Sequence, residues 1–397
     1  MAVRTAIIIG GGIAGPVAAV ALRRAGIEAT IYEAYERTAD GVGGVLTLAP
    51  NGIDALRAIG FDATTLGEPI ADMVIASPAG KPLVTLPGLD GLPASRVLWR
   101  ADLYRALHDH AASLGIRFAY GKQLVGMDET RDTIVARFAD GDWISADLLI
   151  GADGIRSTVR TLIDPMAPGP SYVGHVGMGG IATGSAFRGA PRTMYFANGH
   201  RAFMGYWMQS DDTVLWFANL PHPAALTINQ MRLTPNAEWL RLLGSVFADD
   251  IPGAELIAHT KPESFLVAGA GEIMPAVPHW HRGRAVLVGD SAHAPSSSSG
   301  QGASLAAESA VELARCLRDF QYHTTAFAAY ETLRRSRVAR VAAFGARNNN
   351  SKVSGPIAKA IMGVVMPLAM KTVFKPERMF GWMHGHHIDW QASVPLV

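Results

Sequence analysis

A mixed α/β fold is predicted by three places in this 397-residue sequence where an apolar run ends in glycine and gives way to a helical pattern. They are "IIIGGGIAGPVAAVALRRAGIEATIYEA" (7–34), "ADLLIGADGIRSTVR" (146–160) and "RAVLVGDSAHAPSSSSGQGASLAAESAVELARCL" (284–317). Each reads as strand, tight turn and helix, and the strand ends fall at the C-terminal edge of a parallel sheet, where open α/β folds bind their ligands.

In the first of these, Ile7 to Ile9 form a β-branched run and Gly10, Gly12 and Gly15 make G-x-G-x-x-G, with Ile13 and Ala14 inside the turn. A second strand-like run, Ala29 to Tyr32, ends at Glu33, at the distance where a carboxylate accepts hydrogen bonds from ribose hydroxyls. One glycine permits the turn, one lets the backbone approach a pyrophosphate, and one lets the helix lie close to the strand. The helix N-terminus then faces the phosphates, and Pro16 in the first turn removes an amide that has no helical partner. The unit is Rossmann-like, and by itself it does not separate FAD from NAD.

Composition narrows the function classes. Lys and Arg total 35 against 34 Asp and Glu, so no basic field recruits nucleic acid. The one cysteine, Cys316, excludes an internal disulfide and a cysteine-rich metal site, sits in a helical pattern as a buried small residue, and fits a cytoplasmic setting. No signal peptide is expected, because the first apolar stretch is the nucleotide-binding strand. Near the other end, 355–374 is apolar, but Lys359 and Lys371 bracket a stretch broken by Gly363 and Pro367, whereas a membrane span needs about 20 apolar residues. A packed helix is expected there, with a substrate lid or a peripheral membrane contact as alternatives, and not an integral membrane segment. "HGHH", holding His384, His386 and His387, is the densest histidine group; without acidic or cysteine partners nearby it is not read as a metal site.

The later motifs extend the reading. Asp153 and Asp290 each follow the glycine that ends an apolar strand, and Gly300 and Gly302 flank Gln301 before a new helix. Together the N-terminal "GGGIAG", "GADGIRSTVR" (151–160), "GDSAH" (289–293) with "GQG" (300–302), and "LWRADLYRAL" (98–107) resemble the single-component FAD-dependent aromatic hydroxylases, the para-hydroxybenzoate hydroxylase-like family. The resemblance covers most of the chain. It implies that Gly10, Gly12, Gly15 and Glu33 hold the adenosine diphosphate half of FAD, and that Asp290 binds the ribityl chain. It places Arg100 at the phosphates or ribityl region, and Asp153 and Arg160 in a segment contacting both FAD and NAD(P)H. Gly43, Gly44 and Val45 would line the flavin ring, with Gly300, Gln301 and Gly302 as the opposite wall. Where many members carry proline three residues before the G-Q-G, this chain has Ser297. Asp153 and Arg160 also read as a structural ion pair, and the serine run as a plain loop.

What the family implies about chemistry is a monooxygenase: NADPH or NADH, bound transiently, reduces FAD, O2 adds to give a flavin C4a-hydroperoxide, and one oxygen passes to an aromatic or polycyclic small molecule. A flavin-dependent oxidase or reductase without oxygen transfer, and a non-enzymatic flavin-binding protein, remain alternatives. The W-x-W-x-I-P signature of flavin-dependent halogenases is absent.

Between the motifs, short runs such as "RTMYFA", "RAFMGYWM" and "TVLWFA", separated by turn residues, read as strands of a mixed or antiparallel sheet. The expected organisation is therefore an FAD-binding domain at 1–70, 100–170 and 280–345, interleaved with a smaller α+β substrate domain at 71–99 and 171–279. A C-terminal helical segment at 346–397 follows Asn348 to Asn350. Tyr206, His175 and His200 are candidate catalytic groups in the substrate domain. Its aromatic residues alternate too loosely to show which face looks toward the flavin.

Overall fold

The computed structural model describes residues 3–36, 44–352 and 376–395. Its first sheet has six strands in the order 281–282, 285–287, 148–151, 5–9, 28–32 and 117–119. Thr5–Ile9 lies inside it, paired in parallel with Leu148–Gly151 on one side and Glu28–Tyr32 on the other, with Ile7 opposite both Leu149 and Thr30. The chain leaves this strand toward one edge and later returns to its other side. The resulting crevice at its C-terminal end is a topological switch point.

The local sequence fixes that crevice. Gly10 turns with φ +104°, and a Cβ there would lie 2.4 Å from the Ala152 carbonyl oxygen of the neighbouring strand connection. A Cβ on Gly15 would lie 2.0 Å from the Gly10 carbonyl oxygen, so helix Ala14–Arg24 packs against its own strand only because both positions are bare. Helix Gly302–Asp319 packs beside it, and the close meeting of Gly289 with Ala14 and Ala306 sets their separation.

The second sheet has seven strands in the order 260–273, 171–182, 214–221, 203–208, 193–198, 72–76 and 82–87. It is antiparallel except where Thr193–Asn198 pairs in parallel with Asp72–Ala76, because a segment from between the first and second glycine motifs joins strands from beyond the second. Its strand registers sort the aromatic residues that sequence pattern left mixed. Met204, Tyr206 and Trp216 point into a core closed by helices Asn236–Val246 and Gly253–Ala258. Phe196, Trp207 and Phe217 point the other way and pack with Ile70, Val97 and Trp99 of a separate three-stranded sheet formed by 45–48, 95–99 and 68–70.

Helix His323–Lys352 runs through Asn348 to Asn350 without a break, and a last helix spans Pro376–His384. The apolar stretch 355–374 and Gly43 lie outside the described residues. Among the described residues, no helix is long and apolar enough to cross a membrane.

Candidate active site

The glycine turns, the inward face of the seven-stranded sheet and the C-terminal helix enclose one continuous cleft of about 2260 Å³. Ligand pockets run to roughly 300–1,000 Å³, so this volume accommodates a dinucleotide together with a second molecule.

Gly10, Gly12, Ile13, Ala14 and Glu33 line one end of the cleft. Glu33 Oε2 accepts the Gly11 amide at 2.7 Å and Oε1 accepts the Tyr35 amide at 3.1 Å, which aims the carboxylate along the cleft while leaving it lone pairs. Helix Ala14–Arg24 has no side-chain N-cap, so its first amides are left for a ligand. Gly44, Val45 and Arg100 line the next stretch, where the Arg100 backbone amide donates a hydrogen bond to the Gly44 carbonyl at 3.0 Å. Asp290, Gly300, Gln301 and Gly302 form the facing side.

This lining fits FAD by its shape and by its unsatisfied groups. A Cβ on Gly12, Gly44, Gly300 or Gly302 would meet no protein atom within 4 Å, so at each of them the space a side chain would take is left open. Burial pushes the Asp290 carboxyl up from its ordinary range, with Arg100 pulling it back down. No hydrogen bond from a described residue reaches that carboxylate, so it is free to accept from the hydroxyls of a polyol chain such as the ribityl of FAD.

Two residues have internal roles. Asp153 reaches the cleft, but its carboxylate accepts the Ser157 hydroxyl at 2.5 Å and the Val159 amide at 3.0 Å, which caps helix Thr158–Ile163. Arg160 is buried below the cleft, donating to the Ser291 carbonyl at 3.0 Å and the Ile155 carbonyl at 2.8 Å. It ties the second and third glycine turns together. Burial pulls its pKa down, while Asp153 acts in the opposite sense.

The candidate catalytic groups separate equally plainly. His175 lines the cleft, its ring seated over Gly271, where a Cβ would come within 2.5 Å of Nε2. Tyr206 faces the other core, stacked on Tyr195 at 5.3 Å, and burial raises its pKa far above the ordinary phenol. His200 is on the outside, its Nδ1 2.5 Å from Asp250.

Strand alternation builds the wall of the cleft on the side of the seven-stranded sheet. Asn198, Phe203, Asn219 and Gly177 stand in one row across four strands, and Phe196, Gly205, Phe217 and Gly179 form the next. Trp207, Leu215 and Ile181 follow, with Met194 packed beside them. The Phe217 ring lies over Gly205, where a Cβ would come within 2.3 Å of it, and Phe196 and Phe203 flank it with ring centroids about 6 Å away. These rows carry no formal charge. Period-two alternation held this signal, but the strand boundaries needed to phase it were not legible. The serine run is an ordered turn: Ser297–Ser299 is a short 3-10 helix, closed by a bond from the Ser299 hydroxyl to the Ser296 carbonyl at 2.8 Å.

Comparison with known proteins gives the same reading. A family model described as "FAD binding domain" matches residues 3–345. An FAD-dependent urate hydroxylase of Klebsiella pneumoniae is 30% identical over 347 residues, covering 84% of this chain and 86% of the relative. Aurachin C monooxygenase/isomerase of Stigmatella aurantiaca is 30% identical over 339 residues, covering 83% and 85%. The crystal structure of Klebsiella pneumoniae HpxO complexed with FAD and uric acid has a TM-score of 0.82 at 23% identity, covering 96% of each chain, which shows the shared fold. The chain belongs to this FAD-binding family of para-hydroxybenzoate hydroxylase-like enzymes, and it is an FAD-dependent monooxygenase.

Proposed function

We propose that this enzyme hydroxylates a planar, largely apolar aromatic or heterocyclic molecule in the cytoplasm, with NADPH or NADH as the electron donor. The observation that carries the reading is the uncharged aromatic face of Phe196, Phe203, Phe217 and Trp207, opening on the same cleft as the glycine turns. Relatives named for urate and for 6-hydroxynicotinate support a flat, electron-rich substrate.

FAD supplies the oxygen-activating chemistry when bound. The protein binds, orients and excludes water. Glu33 accepts from the adenosine ribose, the open helix N-terminus at Ala14 meets the pyrophosphate, and Asp290 holds the ribityl hydroxyls with Arg100 beside it. Gly44, Val45 and the backbone of Gly300 to Gly302 form the walls of the ring site. The chain has one dinucleotide fingerprint, so the nicotinamide donor binds transiently in the open part of the cleft. Two electrons from the donor balance the reaction: one oxygen atom enters the substrate and the other leaves as water.

Product mass under isotopically labelled O2 tests the proposal. Incorporation of one labelled atom into an aromatic probe, with matching NAD(P)H consumption, is expected. Donor consumption that yields only hydrogen peroxide with every aromatic offered would replace it with an oxidase or reductase.

A further inference from the structure

The histidine-rich motif near the C-terminus divides into two anchors and one cleft residue. His387 Nδ1 lies 2.8 Å from Asp54 Oδ1, whose other oxygen accepts the Ile388 amide at 2.9 Å. His386 Nε2 lies 4.0 Å from the fully buried Glu308 carboxylate. Glu308 also receives both Nε and Nη2 of Arg337, at 2.8 and 2.7 Å, and Arg337 donates onward to the Trp382 and Met383 carbonyls. These are among the last carbonyls of helix Pro376–His384, which have no partners within the helix. Arg337 therefore caps this helix and opposes its dipole. Asn51 carries the same network to the cofactor side, donating to Glu308 at 2.6 Å and to Gln301 at 2.9 Å.

A helix fixed in this way presents one face to the cleft, formed by Met379, Phe380, Met383 and His384. The His384 ring stacks on Phe380 four residues earlier, with centroids 5.4 Å apart and planes at 18°, which sets its orientation. Phe380 meets Phe344 edge-on, and the next residue, Gly345, abuts Ser296 and Ser299, so this wall continues into the serine turn beside the G-Q-G. No hydrogen bond from a described residue reaches the His384 ring nitrogens. Burial, reinforced by Arg337, pulls its pKa down to about 4, so the ring is neutral at pH 7 and one nitrogen carries a lone pair.

Building on the aromatic-substrate reading, we propose that His384 is a substrate-binding residue that accepts a hydrogen bond from a hydroxyl or ring N–H of the aromatic substrate. Among the described residues the wall around it is otherwise Met379, Phe380, Met383 and Phe344, so it is a polar point on an apolar surface and selects the orientation of a flat molecule. A hydrogen bond accepted there also shifts electron density into the ring that must be oxidised.

The test compares 2-naphthol with 2-methoxynaphthalene, which has the same ring but no donor, by titrating FAD-loaded enzyme and following the flavin absorbance change. Tighter binding of 2-naphthol by about tenfold is expected in the parent, as a single hydrogen bond would give. His384→Phe keeps the stack on Phe380 and removes the acceptor; it should abolish this preference while leaving 2-methoxynaphthalene affinity and FAD content unchanged. His384→Gln, which restores an acceptor, should recover part of it. Equal weakening of both ligands in His384→Phe, an unchanged preference, or no preference in the parent would overturn the proposal. Labelled-oxygen transfer reads the enzymatic reaction separately, so oxygen transfer that persists while the preference fails removes only the role of His384.

Discussion

Glu33 and the Gly11 amide are joined at 2.7 Å, so the end of the second parallel strand is bonded to the turn after the first. The bond aims the carboxylate along the cleft, and it leaves a buried amide exposed to loss if the side chain is shortened. Asp290 differs, because no described donor holds it and its value is realised when a polyol arrives.

This difference predicts two kinds of pale protein. Asp290→Ala should lose FAD by roughly ten- to a hundredfold in affinity, the effect of one charge-assisted hydrogen bond of about 1.5–3 kcal/mol, with the melting temperature of cofactor-free protein unchanged. Glu33→Ala should lose FAD comparably and also lower that melting temperature, since the Gly11 amide loses its partner. The flavin-to-protein absorbance ratio and thermal denaturation of stripped protein measure both. Full FAD retention in both variants would show the residues to be misassigned.

Gly12 and Gly15 give a sharper contrast within one motif. A Cβ on Gly12 meets no protein atom within 4 Å, whereas one on Gly15 falls 2.0 Å from the Gly10 carbonyl oxygen. Gly12→Ala should keep the fold of the cofactor-free protein and lose FAD, because the methyl enters the space for the pyrophosphate. Gly15→Ala should lower the stability of the cofactor-free protein itself, because helix and strand must separate. Circular dichroism melts of the stripped variants distinguish them, and identical melts would contradict the assignment.

These glycines were legible because each needs a backbone approach that no other residue permits, and such needs are written locally. The first strand, its turn and Glu33 could therefore be placed from sequence, as could the Asp290 turn. Arg160 could be located but not interpreted, since its partners Ser291 and Ile155 are separated from each other by a long stretch of chain. The sorting of Tyr206 from Trp207 needed strand registers, because neighbouring residues on a strand face opposite sides and a one-residue error exchanges them. His384 was hidden for another reason. Its place in the cleft depends on Arg337 and Glu308, which come from two other helices, and no spacing in "HGHH" encodes that.

Gly205 predicts a change confined to the aromatic face of the cleft. Its missing Cβ lets the outer end of the Phe217 ring lie over the strand, with ring atoms 2.3 and 2.4 Å from where a methyl would sit. Gly205→Ala should therefore push Phe217 toward the cleft, weakening an aromatic ligand severalfold or shifting the position oxidised, while FAD content stays at the parental level. Titration of 2-naphthol against the flavin absorbance and product analysis check this. A loss of FAD equal to the loss of ligand would mean that the whole sheet had moved.

Glu308 predicts how the enzyme responds to acid. Burial alone would raise its pKa, but Arg334 at 2.7 Å and Arg337 at 2.7 Å more than offset this and hold it at about 2. An unfolded glutamate titrates at about 4.3, so the folded value is depressed and the unfolded chain binds the proton more readily. The contribution to stability is then fully present above the unfolded pKa and is lost as pH falls through the folded value. A shift of this size corresponds to something on the order of 3 kcal/mol, at one pKa unit per 1.36 kcal/mol. Denaturant unfolding of the parent, followed by tryptophan fluorescence, should show stability nearly flat from pH 7 to pH 5 and falling steeply below pH 4. Glu308→Gln leaves Arg334 and Arg337 without their counter-charge, so it should be less stable at pH 7 by about 3–5 kcal/mol, the cost of breaking a buried ion pair. The same variant cannot take up the proton, so its stability should fall less between pH 5 and pH 3 than the parent's does. The remaining slope belongs to other depressed carboxylates such as Asp319, held down by Arg318, and Asp147. If parent and variant lose stability in parallel over that range, the buried cluster is not the group that acid protonates on unfolding, and the link from Gln301 through Asn51 and Glu308 to the C-terminal helix would have to survive protonation.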